Sequence, residues 1–184
     1  MSEGKITELW IQLEAWLKEN APPVLGALYP GATMREIKEA EEELCVSFPP
    51  EMVEFYLRHN GEVGEGALCM GGKLYPLKTI VEQRDMLAGH VNPENDDLVD
   101  TVGPVRKNWY NVMWVPFVGA DGDDLCLDFA PSSGGNKGQI IYMAREGSRE
   151  VVATDFTAWF EAYVQKVLSG AFSYDSDEEC LLSV

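Results

Sequence analysis

Residues 118–131 read VGADGDDLCLDFAP. Four aspartates, Asp121, Asp123, Asp124 and Asp128, fall within eight residues, with Leu125, Leu127 and Phe129 interleaved. Side chains alternate along a strand, so the three apolar residues share one face and Asp124, Cys126 and Asp128 share the other. The apolar face is expected to look into the core, which leaves Asp124 and Asp128 on the opposite face or at an edge. Four residues along a strand span about 13 Å. Paired glycosidase carboxylates stand about 5–9.5 Å apart, so this pair does not fit acid–base hydrolysis without a bulge. A calcium loop opening at Asp121 and Asp123 needs Asp or Asn, Gly and finally Glu at set positions. Those positions hold Leu125, Cys126 and Ser132. Asp121-Gly122 is better read as a turn.

Outward from this stretch the chain reads as a run of strands. VMWVPFV precedes it, and Pro116 implies an edge strand or a bulge. The loop PSSGGNKG, the strand QIIYMA, the turn EGSRE and the strand VVAT follow it. Thr154 or Asp155 then caps a closing helix. Its residues Phe156, Trp159, Phe160, Tyr163, Val164, Val167 and Leu168 keep helical spacing and are expected to cover the sheet.

The first third is helical. Ile6, Leu9, Trp10, Leu13 and Leu17 make one stripe over residues 5–19, and Thr33 with Glu36 forms a capping box ahead of a second helix. A third follows in FPPEMVEFYLRHNG, with Pro50 in its first turn and Asn60-Gly61 as its stop. ALCM and KLYPL around Gly71-Gly72 suggest a hairpin, and LKTIVEQRDML a short helix. Gly89 to Asn108 is polar and reads as a long loop. Residues 169–184 read as an acidic, mobile tail. The expected organisation is one domain over residues 1–168, with residues 1–31 as a helical extension.

The 184 residues hold 14 Lys and Arg against 31 Asp and Glu, a net charge of −17. Such a surface repels phosphate backbones and anionic lipid, so neither nucleic acid nor membrane is expected as a direct partner. It attracts basic proteins. The four cysteines have no C-x-x-C spacing, the N-terminus lacks a signal-peptide pattern, and no apolar run approaches a membrane span of about 20 residues. A reducing, cytoplasmic setting is the expectation. His59 and His90 are isolated, no G-x-S-x-G occurs, and PSSGGNKG lacks the phosphate-loop pattern. No catalytic residues, metal or cofactor are expected. What remains is a surface. Asp121, Asp123, Asp124 and Asp128 are the candidate contacts for a basic partner, with Trp109 and Tyr110 as aromatic anchors outside the strand. Trp114 reads as core.

The order of motifs resembles the SUKH superfamily, named for the yeast cell-wall regulator of glucan synthesis. FPPEMVEFYLRHNG resembles its proline, acidic-helix and His-Asn-Gly segment. WVPFVGADGDDLCLDFAPSSGGNKGQIIYM resembles its Trp-x-Pro-Phe strand, acidic Gly turn, apolar-Asp strand, Gly-Gln loop and closing strand. VVATDFTAWFEAYV resembles its last helix. The resemblance runs from about Ala32 to Leu168. The insertion from Gly89 to Asn108 and the acidic tail depart from it. It implies an α+β fold, with a mixed or largely antiparallel sheet and helices packed on it, and no catalysis. Bacterial members resemble immunity proteins that neutralise toxins, and fungal members resemble scaffolds in cell-wall and signalling pathways. The first expectation is therefore a non-enzymatic protein-binding domain, an immunity protein that meets a basic toxin such as a nuclease through its acids. The alternative is a regulatory scaffold of the glucan-synthesis type. Neither composition nor motifs fix the oligomeric state.

Overall fold

The computed structural model describes residues 4–64, 66–68, 70 and 72–184. In chain order the elements are α1 (Lys5–Asn20), α2 (Pro22–Gly26), α3 (Met34–Leu44), α4 (Pro50–Arg58), β1 (Lys73–Leu74), α5 (Leu77–Ala88), a 3₁₀ helix (Pro93–Leu98), β2 (Asp100–Val102), β3 (Trp114–Ala120), β4 (Asp123–Asp128), β5 (Gln139–Met143), β6 (Ser148–Ala153), α6 (Phe156–Leu168), β7 (Phe172–Asp175) and β8 (Cys180–Ser183). The main sheet has the order β1-β3-β4-β5-β6-β2. β2 runs parallel to β6 and the other neighbours are antiparallel, so the sheet is mixed. Helices lie on both sides and the fold is α+β. No helix among the described residues is long and apolar enough to cross a membrane.

Local chemistry sets the elements. Thr33 accepts from the Glu36 N–H at 3.2 Å while Glu36 accepts from the Thr33 N–H at 2.7 Å, the expected capping box. Asp155, rather than Thr154, caps α6 by accepting from the Ala158 N–H at 2.8 Å. Asp121 and Gly122 join β3 to β4 with φ of 53° and 94°. Two successive positive φ values match the twist of a two-residue hairpin, and Asp-Gly supplies them at low steric cost. β3 lies inside the sheet, so Pro116 is not at an edge. The pairing register shifts between Pro116 and Val118, which is the bulge.

One face of the sheet carries the larger core. Trp10 of α1, Phe55 of α4, Phe117 of β3 and Phe156, Trp159 and Phe160 of α6 form a ring cluster with neighbouring centroids 4.8–6.2 Å apart. Leu127 and Phe129 face this side, as alternation requires.

The opposite face departs from expectation. Cys126 sits there, with Trp114, Ile141 and Met143, beneath Val105 and Tyr110 and the α5 residues Leu87 and Ala88. The strand is therefore covered on both sides, and its acids do not stand on an open face. The segment expected to be a long loop supplies part of this cover, and it holds the 3₁₀ helix and β2. Residues 172–183 are likewise not a free tail. β7 and β8 pair, Leu181 is fully buried, and its N–H donates to the Ala67 carbonyl at 2.9 Å. Of the hairpin expected around Gly71-Gly72, Cys69 and Gly71 lie outside the described residues. Lys73 and Leu74 pair with Gly119 and Val118.

Candidate functional site

The four aspartates do not form one patch. Asp121 is exposed in the β3–β4 turn. Asp123 is half-buried and accepts from the Tyr142 hydroxyl at 2.7 Å and the Arg145 N–H at 2.8 Å. Those bonds, the backbone one first, hold its carboxyl below the usual carboxylate range. Asp124 and Asp128 are buried, at 4% and 0% exposure, and do not reach the outer surface. The physical reason is the second layer described above, which strand alternation alone does not reveal.

Asp124 takes a hydrogen bond from the Tyr75 hydroxyl at 3.3 Å. Burial pushes its carboxyl up to about 6, against the pull of that bond. Gly119 makes room for the pair. A Cβ there would stand 2.2 Å from both Asp124 Oδ1 and the Tyr75 hydroxyl oxygen, so any larger residue would displace them.

Asp128 is the acceptor of a closed network. Trp114 Nε1 donates to Oδ1 at 3.1 Å, the Ala130 N–H to Oδ1 at 2.9 Å, and Gln139 Nε2 to Oδ2 at 2.9 Å. Gln139 Nε2 also donates to the Pro104 carbonyl at 3.0 Å, and Gln139 Oε1 accepts from the Asn136 N–H at 3.2 Å. Burial raises the Asp128 carboxyl, opposed by these three donors. The Trp, Asp and Gly-Gln positions that carry the resemblance in sequence thus meet as one knot. It pins the glycine-rich loop and the 104 segment to the sheet. Buried polar groups must be paired, which accounts for why these residue types occur together.

The two aromatic candidates also separate. Tyr110 is buried, 4% exposed, and its hydroxyl donates to the Trp114 carbonyl at 2.9 Å, so it is a core residue and not an open anchor. Trp109 is half-buried, and its N–H donates to Asp96 Oδ1 at 2.6 Å. Trp109, Tyr110 and Asp121 nonetheless line one cleft of about 480 Å³, between the end of α5 and the β3–β4 and β5–β6 turns.

Sequence reasoning passed over Arg149, in the stretch read as a turn. It lines the same cleft, is 2% exposed, and donates through Nη1 to the Ala144 and Ser148 carbonyls at 2.6 and 2.7 Å. Its Nη2 donates to the Trp109 carbonyl. The guanidinium carbon lies 5.7 Å from the Trp109 ring centre and 6.0 Å from that of Trp114. A second passed-over feature is a groove of about 350 Å³ between α3 and α5. Ala40, Leu77 and Val81 form its apolar part, and Glu36, Glu39, Glu43 and Glu82 line it with Lys78. The sequence spells out the α3 glutamates, but not that α5 packs across from them.

The profile of the SMI1/KNR4 family (SUKH-1) matches residues 31–162. The chain is 26% identical to KNR4/SMI1 homolog 2 of Debaryomyces hansenii over 95% of its own length and 37% of that protein. It is 23% identical to the cell wall biosynthesis/cell cycle regulator smi1 of Schizosaccharomyces pombe, over 96% and 39%. It is 24% identical to human F-box only protein 3, again over 96% and 39%. The chain therefore spans well under half the length of these curated relatives. With the profile covering most of the chain, and its Trp, Asp and Gln positions joined in one buried network, the chain belongs to the SMI1/KNR4 family (SUKH-1).

Proposed function

We propose that this chain is a non-catalytic regulatory module, as the names of the cell-wall regulators it is similar to suggest, and that it holds a basic segment of a protein partner in the α3–α5 groove. The observation that carries the reading is the groove itself. Four glutamates line it against one lysine, over apolar residues of both helices. All four are exposed, and the bonds from Thr33 keep Glu36 below the usual carboxylate range, hence charged at neutral pH. The ion pairs across this surface are long and exposed: Arg35 to Glu39 at 3.7 Å and Lys78 to Glu82 at 3.6 Å. Such pairs hold little energy and yield readily to an incoming cation. Arg84 Nη2 donates to the Glu43 carbonyl at 2.6 Å and ties α5 to α3, so the groove is preformed. A basic amphipathic helix can set its apolar side on Ala40 and Val81 and its cations among the glutamates.

The same surface suits a basic toxin, the occupant first expected from the resemblance. The names of the fungal relatives favour the regulatory reading instead. The test is capture of partners from the source organism, followed by binding kinetics of the captured protein. Replacing Glu39, Glu43 and Glu82 with lysine should slow association at least ~10-fold, and added salt should slow the unsubstituted protein similarly. Association insensitive to both changes would refute the groove as the contact.

A further inference from the structure

The cleft that holds Trp109 and Asp121 carries an observation the regulatory reading does not use. Arg149 lies at its base, almost wholly buried, and no carboxylate stands within ion-pair distance of its guanidinium among the described residues. Three hydrogen bonds to carbonyls occupy Nη1 and Nη2, while Nε has no partner. A permanently charged group taken out of water is costly unless it is fully paired; the Trp109 and Trp114 rings and the buried Asp124 carboxylate, which acts on it from beyond ion-pair distance, offset only part of the burial, and Nε stays unpaired. The cleft walls are apolar: Met86, which is 52% exposed, with Leu87 and Met143. Its rim carries exposed Arg145 and His90 against a single acid, Asp121. Among the lining residues two arginines stand against one aspartate, with Asp123 bonded to the Arg145 N–H and Asp124 behind Arg149, so the hollow is less acidic than the chain of net charge −17 around it.

We propose that the cleft binds an apolar carboxylate. The carboxylate is drawn to Arg149 and Arg145, and the apolar body packs on Met86 and the exposed side of Trp109. At about 480 Å³ the space matches a small organic acid or one to two peptide residues. A single negative charge suits it better than a doubly charged phosphate, because Asp121 stands at the mouth and the rest of the surface is acidic. The required chemistry is the same whether the group is a free acid or the carboxy-terminal residue of a polypeptide, and the two sources can be told apart.

The experiment follows the Arg149 Nε–H and Trp109 indole resonances of the whole chain by NMR. The probes are 3-phenylpropionate, its amide, and an alanine-rich pentapeptide ending in phenylalanine with either a free or an amidated carboxyl. Saturable shifts of both resonances with the free carboxylates, and affinity weaker by roughly tenfold or more for the amides, support the site. Tighter binding of the free-ended peptide than of 3-phenylpropionate assigns the site to a polypeptide terminus, and the reverse order assigns it to a small acid. Arg145→Gln, on the exposed rim, should weaken the carboxylates severalfold and leave the amides unchanged. Because Arg149→Met can unfold the chain, the Arg149 signal in the unsubstituted protein decides the matter. No shift by about 10 mM probe, or equal affinity for acid and amide, would overturn the proposal.

Discussion

Replacing Asp128 should reveal that its carboxylate is a fastening and not a contact. Three donors converge on it, the buried side chains of Trp114 and Gln139 and the half-buried Ala130 N–H. Asp128→Ala removes the acceptor from all three. An unsatisfied buried donor costs about 1–3 kcal/mol, and partial relaxation brings the sum to about 3–6 kcal/mol. Domain stability is about 5–15 kcal/mol, so this variant should be barely folded. Asp128→Asn is the finer probe. Its remaining oxygen can serve Trp114 and Ala130, but its amide then faces Gln139 Nε2. Gln139 cannot turn over freely, because Nε2 also serves the Pro104 carbonyl and Oε1 accepts from Asn136. One pair is lost, while removal of a charge that burial disfavours offsets part of the cost, so about 1–2 kcal/mol is expected. Urea unfolding followed by far-UV circular dichroism and tryptophan fluorescence measures both variants. An Asp128→Ala loss below about 0.5 kcal/mol, or equal losses for Ala and Asn, would refute the network.

Asp124 gives a pH signature. Its folded value, about 6, lies above the ordinary 3.8, so its share of stability is complete at low pH and is lost as pH rises through about 6. The difference corresponds to about 3 kcal/mol at most. Asp124→Asn should therefore gain on the unsubstituted protein between about pH 3.5 and pH 7, as read from urea midpoints; a constant offset would contradict this. Glu14 works in the opposite sense. It pairs with Arg58 at 2.6 Å, which with the neighbouring His59 holds its carboxyl low, so Glu14→Gln should matter near neutral pH and cease to matter in acid. Leu181→Ala should cost about 2–5 kcal/mol, because the side chain is fully buried under the β7–β8 hairpin, and a loss below about 0.5 kcal/mol would mean the hairpin is not part of the fold.

Much of the architecture was legible. The stripe from Ile6 to Leu17, the Thr33–Glu36 box, the Asp121-Gly122 turn and the aromatic period of α6 are local signals, and each formed where its chemistry required. The site was not legible in the same way. Alternation in DLCLDF says that two faces exist, but not that Leu87, Val105 and Tyr110, from distant and weakly periodic segments, close over the second. Burial of Asp124 and Asp128 follows from that tertiary event alone. The hairpin at 172–183 was hidden for a related reason: its acids lie in and around the turn and mask a short apolar pairing. Arg149 looked like one cation in a turn, because its value comes from the Trp109 carbonyl and the Trp109 and Trp114 rings of other segments that converge on it.

The central claim is that carboxylates of the α3–α5 groove meet the partner while the strand carboxylates build the fold. Binding kinetics of one captured partner against three folded proteins tests it most directly: the unsubstituted chain, the triple lysine variant at Glu39, Glu43 and Glu82, and Asp128→Asn. The expected result is association slowed at least ~10-fold in the triple variant and unchanged, per folded molecule, in Asp128→Asn. Normal association in the triple variant together with slowed association in Asp128→Asn would contradict the account.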